Sequence, residues 1–117
     1  MIILAIIAGV IYFVNRSNAE FAKLREVEIT NVDLSAIDDG VYQGEYKSFP
    51  VEAIVLVTIE NHMITNIEIV KHLTGQGRAA EDIIFDVVFF QSLEVDVVAG
   101  ATYSSKVILL AIKNALE

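Results

Sequence analysis

The sequence predicts an α+β domain, a small antiparallel sheet packed with two helices and preceded by an N-terminal membrane helix. Three observations support this class: an uncharged apolar run at the start, strand-like segments in the middle, and two amphipathic segments in the C-terminal half. Strands followed by helices in this order favour an antiparallel sheet. The 117 residues fit one domain. We assign residues 1–27 to a membrane anchor with its juxtamembrane helix, and residues 28–117 to the folded domain.

The first segment, MIILAIIAGVIYFV, contains no charged side chain and accounts for much of the mean hydropathy of +0.57. It is shorter than the roughly 20 apolar residues that cross a bilayer. Neither a basic stretch before it nor a clear cleavage site after it indicates a signal peptide. Three alternatives stay open: a membrane anchor whose start lies upstream, a short uncleaved anchor, and a buried core helix. Residues 18–27 continue as a helix, with Phe21, Leu24 and Val27 at helical spacing.

Three segments in the middle of the chain are predicted strands. Residues 41–46 alternate aromatic and branched side chains after a turn signal at residues 38–40. Residues 51–59, VEAIVLVTI, are apolar on nearly both faces, which predicts a central strand covered on both sides. Residues 64–71 form the next strand, and the tight connection between these two segments predicts a hairpin.

Two helices complete the predicted domain. Residues 79–91 carry apolar side chains on one broad face and follow a loop with two glycines. A short extended piece over residues 93–98 leads to the last helix, residues 104–116. The apolar side chains of that helix recur at three- and four-residue spacing, which gives it one buried face.

Charge and composition exclude several classes of function. Eight basic against sixteen acidic side chains give a formal net charge of −8, whereas nucleic-acid binding needs a basic surface. The chain has no cysteine, so disulfides, thiolate catalysis and iron–sulfur ligation are excluded. Its two histidines, His62 and His72, have no zinc-ligand spacing. No carboxylate pair stands out as acid–base machinery.

The segment around Thr102 has the character of an anion site. Gly100 lets the backbone turn or approach a ligand closely. Thr102, Ser104 and Ser105 place three hydroxyls at the start of a predicted helix, where unpaired N–H groups and the positive dipole end suit a phosphate. The structural alternative is an ordinary helix N-cap, the commonest role of Ser and Thr at such positions.

The stretch VDVVAGATYSSKVILLAIKNAL resembles the C-terminal signature of the FMN-binding domain family. That signature has Asp, two residues, Ser or Thr, Gly, Ala and Thr, and then a helix that opens with hydroxyl residues. Residues 39–47, 64–72 and 91–96 resemble other parts of the family in the expected order, so the resemblance covers roughly residues 38–117. The family includes the covalent-FMN subunits of the Na⁺-translocating NADH:quinone reductase and of the Rnf complex, and small membrane-anchored proteins.

The resemblance implies that a separate flavin transferase attaches FMN to Thr102 through a phosphoester bond. Asp96 matches the acidic residue of the signature, and its implied role is recognition by the transferase. The implied cofactor-binding set is His72, Gln91, Asp96, Gly100, Ala101, Thr102, Ser104 and Ser105. The chain departs from the family at Ala99, where Ser or Thr is usual, and the missing hydroxyl removes one hydrogen bond of about 0.5–1.5 kcal/mol.

Several residues have two interpretations. His72 either contacts the flavin ring or a redox partner, or is a surface histidine at a strand end. Gln91 matches a family glutamine that could reach the flavin, or it simply ends a helix. The phenylalanines at 85, 89 and 90 pack in the core or against a membrane, stack on the flavin, or form a partner surface.

The expected function is extracytoplasmic electron transfer by a flavoprotein domain held at the cell membrane. Its implied partners are the flavin transferase, the membrane, and a redox partner protein or a quinone-linked complex, with no nucleic acid. The sequence favours an electron-transfer component over an independent enzyme, because no catalytic groups of its own are visible. Two alternatives stay open: a membrane-anchored scaffold domain without covalent flavin, and a reductase that binds FMN non-covalently.

Overall fold

The computed structural model describes residues 2–73, 78–97 and 101–117. Along the chain lie α1 (Ile2–Glu26), a 3-10 helix (Leu34–Ala36), β1 (Gly40–Ser48), β2 (Val51–Glu60), β3 (Met63–Leu73), a second 3-10 helix (Arg78–Asp82), α2 (Ile83–Phe90) and α3 (Thr102–Leu116). The strands form an antiparallel sheet in the order β1-β2-β3. The predicted α+β class, with its small antiparallel sheet and two helices, is confirmed.

One face of the sheet packs on α3. The odd-numbered residues of β2 are buried on this face, and β1 and β3 contribute partners in register, such as Gly44 and Ile69 on either side of Val55. On the other face, Ile54 and Leu56 are only partly buried. The prediction that β2 is covered on both sides is therefore wrong. The Lys71–Glu52 ion pair, at 3.8 Å, joins β3 to β2.

The helix α3 forms the centre of the core. Val107, Ile108, Ala111 and Ile112 are fully buried, as the three- and four-residue spacing predicts. The helix comes closest to the sheet at Gly44 of β1. A Cβ atom built there would clash with the Ala111 carbonyl oxygen and lie 2.5 Å from the Ala115 nitrogen. A glycine is therefore required at this crossing.

The second predicted helix begins as a 3-10 helix and becomes α-helical only at Ile83. It ends at Gln91, whose φ of 52° and ψ of 43° place it in the left-handed region. The extended piece predicted for residues 93–98 forms no strand over residues 93–97. The connector before β1 is also without a strand and contains the first 3-10 helix. There Asp33 accepts hydrogen bonds from the Ser35 hydroxyl and backbone N–H, which lower the pKa of its carboxyl group.

The apolar run at the start of the chain and the helix predicted to follow it form one continuous helix, α1. Its apolar side chains over residues 2–14 are exposed, from 78% at Ile2 to 46% at Val14. The alternative of a buried core helix is therefore wrong. Among the described residues, no helix is both long enough and apolar enough to cross a membrane, so a helix is present where the membrane helix is predicted but its spanning character is not supported. The uncharged run ends at Val14, and polar and charged residues follow.

Two sets of contacts hold α1 on the domain, one near the middle of the helix and one at its C-terminal end. Phe13 packs edge-on against Phe49 in the β1–β2 turn with ring centroids 5.3 Å apart, and the Arg16 guanidinium lies 4.4 Å from the same ring. Near the end of α1, Leu24 is buried in the core. The Lys106 Nζ donates to the carbonyl oxygens of Leu24 and Val27, at 3.3 and 3.4 Å. A cation at this end also complements the helix dipole.

The first part of α1 projects beyond the β1–β2 turn. The molecule measures 61 × 22 × 22 Å. A 25-residue helix is about 37 Å long and a ten-residue strand about 33 Å, so both run along the long axis. Because Leu24 lies in the core and Phe13 at the turn, the residues before Phe13 extend away from the sheet at this end.

Candidate functional site

Thr102 is the first residue of α3. The N-cap position before it is Ala101, with φ −134° and ψ 39°, and the alanine side chain makes no capping hydrogen bond. The Ser105 backbone N–H donates to the Ala101 carbonyl oxygen at 2.9 Å, which closes the first turn. Thr102 is partly exposed, and its hydroxyl makes no hydrogen bond within the described part of the chain. Thr102 is therefore not the helix cap, and its hydroxyl is available for other chemistry.

The two serines that follow face the interior. Ser104 is 3% exposed and Ser105 is fully buried. The Ser105 hydroxyl donates to the Ala101 carbonyl oxygen at 2.7 Å, a second bond that fixes the turn below Thr102. The Ser105 side chain thus supports the turn, and neither serine presents its side chain at the surface. The prediction that one of them binds a phosphate stays a prediction.

The electrostatic environment at the start of α3 favours an anion. The first turn contains no acidic side chain, and the positive end of the helix dipole lies there. Lys106 follows Thr102 by four residues, which places both on one side of the helix. Sequence reasoning overlooked Lys106, although this spacing could have revealed it. In the structure its ammonium group caps α1 and so connects the α3 N-terminus to that helix.

Gln91 uses its whole side-chain amide within the fold. Its Oε1 accepts from the Ile64 N–H at 2.6 Å, and its Nε2 donates to the carbonyl oxygens of Ile64 at 2.8 Å and Val88 at 2.6 Å. The amide thus pairs with the start of β3 as a neighbouring strand would. This covers part of an otherwise open sheet edge. These bonds give Gln91 a structural role. Its predicted contact with the flavin stays a prediction.

His72 lies near the end of β3 with only 2% of its side chain exposed. It is therefore not the surface histidine of the structural alternative. Its Nδ1 lies 3.5 Å from Glu81 Oε2 in the second 3-10 helix, and neither ring nitrogen makes a hydrogen bond within the described chain. A flavin contact by His72 stays a prediction.

The structure does not bring the predicted set together at one point. Gln91 pairs with Ile64, whereas His72 lies eight residues further along β3, about 25 Å away at the rise of a strand. The two residues are therefore at opposite ends of β3 and cannot both touch one flavin ring. Asp96 is exposed, and Ala99 and Gly100 lie outside the described residues.

Comparison with known proteins identifies the family of the chain. A family model described as the FMN-binding domain matches residues 50–117, which include Thr102 and the sheet edge at Gln91. A comparison with curated proteins found no match. The match covers more than half of the chain and begins after β1, later than the resemblance that starts at residue 38. The chain therefore belongs to the FMN-binding domain family, and its cofactor is FMN.

Proposed function

We propose that this chain carries FMN as a phosphoester on Thr102 and serves as an electron-transfer module. The observation that carries the proposal is the Thr102 hydroxyl, which is partly exposed at the first position of α3 and has no hydrogen bond within the described chain. A threonine that capped the helix would have to give up its bond before it could accept a phosphate. The residues present thus fit a covalently held phosphate.

The attachment step uses a separate flavin transferase. The Thr102 oxygen forms a bond to the flavin-side phosphorus of the donor nucleotide, and the phosphoanhydride bond of the donor breaks. A nucleoside monophosphate leaves with that electron pair, and the threonine proton passes to a base of the transferase. No electrons are transferred in this step. The α3 dipole then stabilises the charge of the phosphoester.

Bound FMN supplies one- and two-electron redox chemistry, which no side chain of this chain provides. The chain holds the cofactor at a helix start that Ser105 fixes from below. The net charge of −8 disfavours additional negative charge and so lowers the reduction potential slightly. These features suit an electron relay or one component of a larger oxidoreductase.

The proposal includes attachment of the domain to the outer side of a membrane through α1. Its support is the row of exposed apolar side chains over residues 2–14, which project beyond the β1–β2 turn. Transfer of these apolar side chains from water into lipid favours attachment by about 25 cal/mol per Å² of buried apolar surface. The extracytoplasmic side follows from the family resemblance.

Co-expression with a flavin transferase tests the covalent bond. The wild-type band should fluoresce as flavin after denaturing electrophoresis, and intact-mass spectrometry should show one FMN added with loss of water. Thr102→Ala should abolish both signals completely, because alanine has no acceptor oxygen. Thr30→Ala, an exposed threonine outside the site, is the matched control and should keep them.

Two results would contradict covalent attachment. A native protein that is yellow but loses its flavin on denaturation would indicate a non-covalent FMN reductase or carrier. A colourless protein in both conditions would indicate a scaffold domain. Fluorescence that survives in Thr102→Ala would place the bond on another residue.

Membrane attachment is tested by exchanging residues 2–12 for a polar helix of alanine, glutamate and lysine, which leaves the Phe13–Phe49 contact in place. The unchanged chain should sediment with membranes, whereas the exchanged chain should move almost entirely to the supernatant. The remainder of α1 keeps its contacts through Leu24, so folding is preserved. Equal sedimentation of both chains would refute attachment through α1.

A further inference from the structure

The outward side of α2 combines aromatic and acidic side chains and leaves them exposed. Phe85, Asp86, Phe89 and Phe90 lie on one side of α2, and Asp82, the N-cap residue of this helix, precedes them at a spacing of three and four residues; we call these five residues the aromatic stripe. The three phenylalanines are 67%, 79% and 63% exposed. The core already has Ile83 and Val87 from the opposite side of α2, so the stripe is surplus to internal packing.

A cavity of about 380 Å³ adjoins the stripe where α2 lies beside β3. It is lined by Thr65, Asn66, Ile67, Ile84, Phe85, Val88 and Phe89. Phe89 also packs edge-on against Phe90, with ring centroids 4.9 Å apart, so one aromatic ring supports the other. The cavity has apolar walls on α2 and polar groups on β3, which suits one aliphatic side chain of a protein partner.

The position of the stripe separates it from the apolar end of α1. The cavity residues Asn66 and Ile67 pair with residues 57 and 58 of β2, near the β2–β3 end of the sheet. The helix α1 leaves the domain at the β1–β2 turn. Val57 lies six positions after Val51 along β2, a distance of about 20 Å. A flat bilayer that covers the projecting end of α1 therefore does not reach the stripe.

The charge around the stripe favours a basic partner. Asp82 and Asp86 are exposed on the stripe itself, and Glu68 is exposed on the neighbouring strand β3. The helix α2 contains no lysine or arginine. A second copy would bring the same negative charge against this surface, and the whole chain carries −8. Like charges at an interface oppose association, whereas a basic partner is steered toward it.

We propose that the aromatic stripe is the docking surface for a partner protein that presents an aliphatic side chain flanked by lysine or arginine. The aliphatic side chain enters the cavity beside Phe85 and Phe89, and the flanking cations pair with Asp82 and Asp86. This inference rests on the surface of α2 and is independent of whether Thr102 carries FMN.

Two pentapeptides with a central leucine test the docking surface, one flanked by four lysines and the other by four glutamates. The full chain is placed in nanodiscs of neutral phosphatidylcholine, and binding is followed by ¹⁵N–¹H chemical shifts. The lysine peptide should bind saturably, with shifts confined to α2 and β3, and about fivefold or more tightly than the glutamate peptide. Phe89→Ser should weaken binding about fivefold or more. Asp82→Asn with Asp86→Asn should weaken binding and flatten its salt dependence.

Matched controls lie outside the stripe. Val41→Ser removes an exposed apolar side chain from β1, and Glu60→Gln removes an exposed charge from the end of β2; both should leave the affinity unchanged. Equal binding of the two peptides, shifts away from α2 and β3, or no saturable binding would overturn the proposal. Concentration-dependent shifts of the stripe without peptide would assign it to a second copy. Binding of the stripe to added anionic vesicles would assign it to lipid.

Discussion

Gly44→Ala should destabilise the domain by about 3 kcal/mol, at the upper end of the cost of overpacking. The added methyl group has no room, because it clashes with the Ala111 carbonyl oxygen and lies 2.5 Å from the Ala115 nitrogen. Both atoms belong to the α3 backbone, so no side chain can rotate away to relieve the clash. In a domain of this size the thermal midpoint should fall by more than about 10 °C, as calorimetry or circular dichroism would show.

Gly40→Ala is the matched control in the same strand. A Cβ atom at Gly40 would meet only the Tyr42 ring, at 3.6 Å, which is ordinary contact. Its effect on the free energy of unfolding should stay within about 1 kcal/mol. Equal midpoints for the two variants would show that α3 does not cross β1 as closely as the structure has it. Because α3 begins with Thr102, Gly44→Ala should also reduce flavin attachment near its midpoint.

Gln91→Ala should lower the free energy of unfolding by about 2–3 kcal/mol. Three hydrogen bonds are lost, each with a net contribution of about 1 kcal/mol, and the partly buried backbone groups of Ile64 lose their partner. Urea denaturation would measure the change. Amide hydrogen exchange should also become faster at Ile64 than in the centre of β3, because the pairing with the strand edge is gone.

Two further variants test whether the loss of stability comes from the pairing of Gln91 with β3 rather than from the removal of any glutamine side chain. Gln91→Glu keeps the length and one acceptor oxygen but sets a carboxylate oxygen against the carbonyl oxygens of Ile64 and Val88, so it should be at least as destabilising as Gln91→Ala. Gln43→Ala, an exposed glutamine on β1, should change stability by no more than about 0.5 kcal/mol. If Gln91→Ala were as stable as the wild type but lost its flavin, the residue would be a cofactor contact instead.

Local patterns predicted most of the fold. A run of mostly apolar residues predicts β2, apolar side chains at alternate positions predict β3, and the spacing around Val107 and Ile108 predicts the buried face of α3. These signals are short-range, because the two faces of a strand or helix are set by the period of the element itself. The open face of the sheet could not be predicted, since the apolar side chains of Ile54 and Leu56 are only partly buried there.

The candidate site was predicted only in part. Thr102 was located by its glycine turn and helix start, but the N-cap position of Ala101 depends on where the first turn closes. The role of Gln91 depends on a pairing with Ile64, 27 residues earlier, which no local pattern contains. The burial of His72 depends on the 3-10 helix that brings Glu81 beside it. Such roles are fixed by tertiary contacts rather than by local periodicity.

The attachment of α1 to the domain has a consequence for the reach of the flavin. The two hydrogen bonds from Lys106 and the burial of Leu24 fix the helix end, and one continuous helix connects it to the exposed apolar residues. A carrier on a flexible linker samples a volume that grows with linker length, whereas a helix of about 37 Å holds its cargo at a fixed height. If α1 attaches the domain to a membrane and Thr102 carries the flavin, as proposed, donor and acceptor must come to Thr102, because the domain does not swing between them.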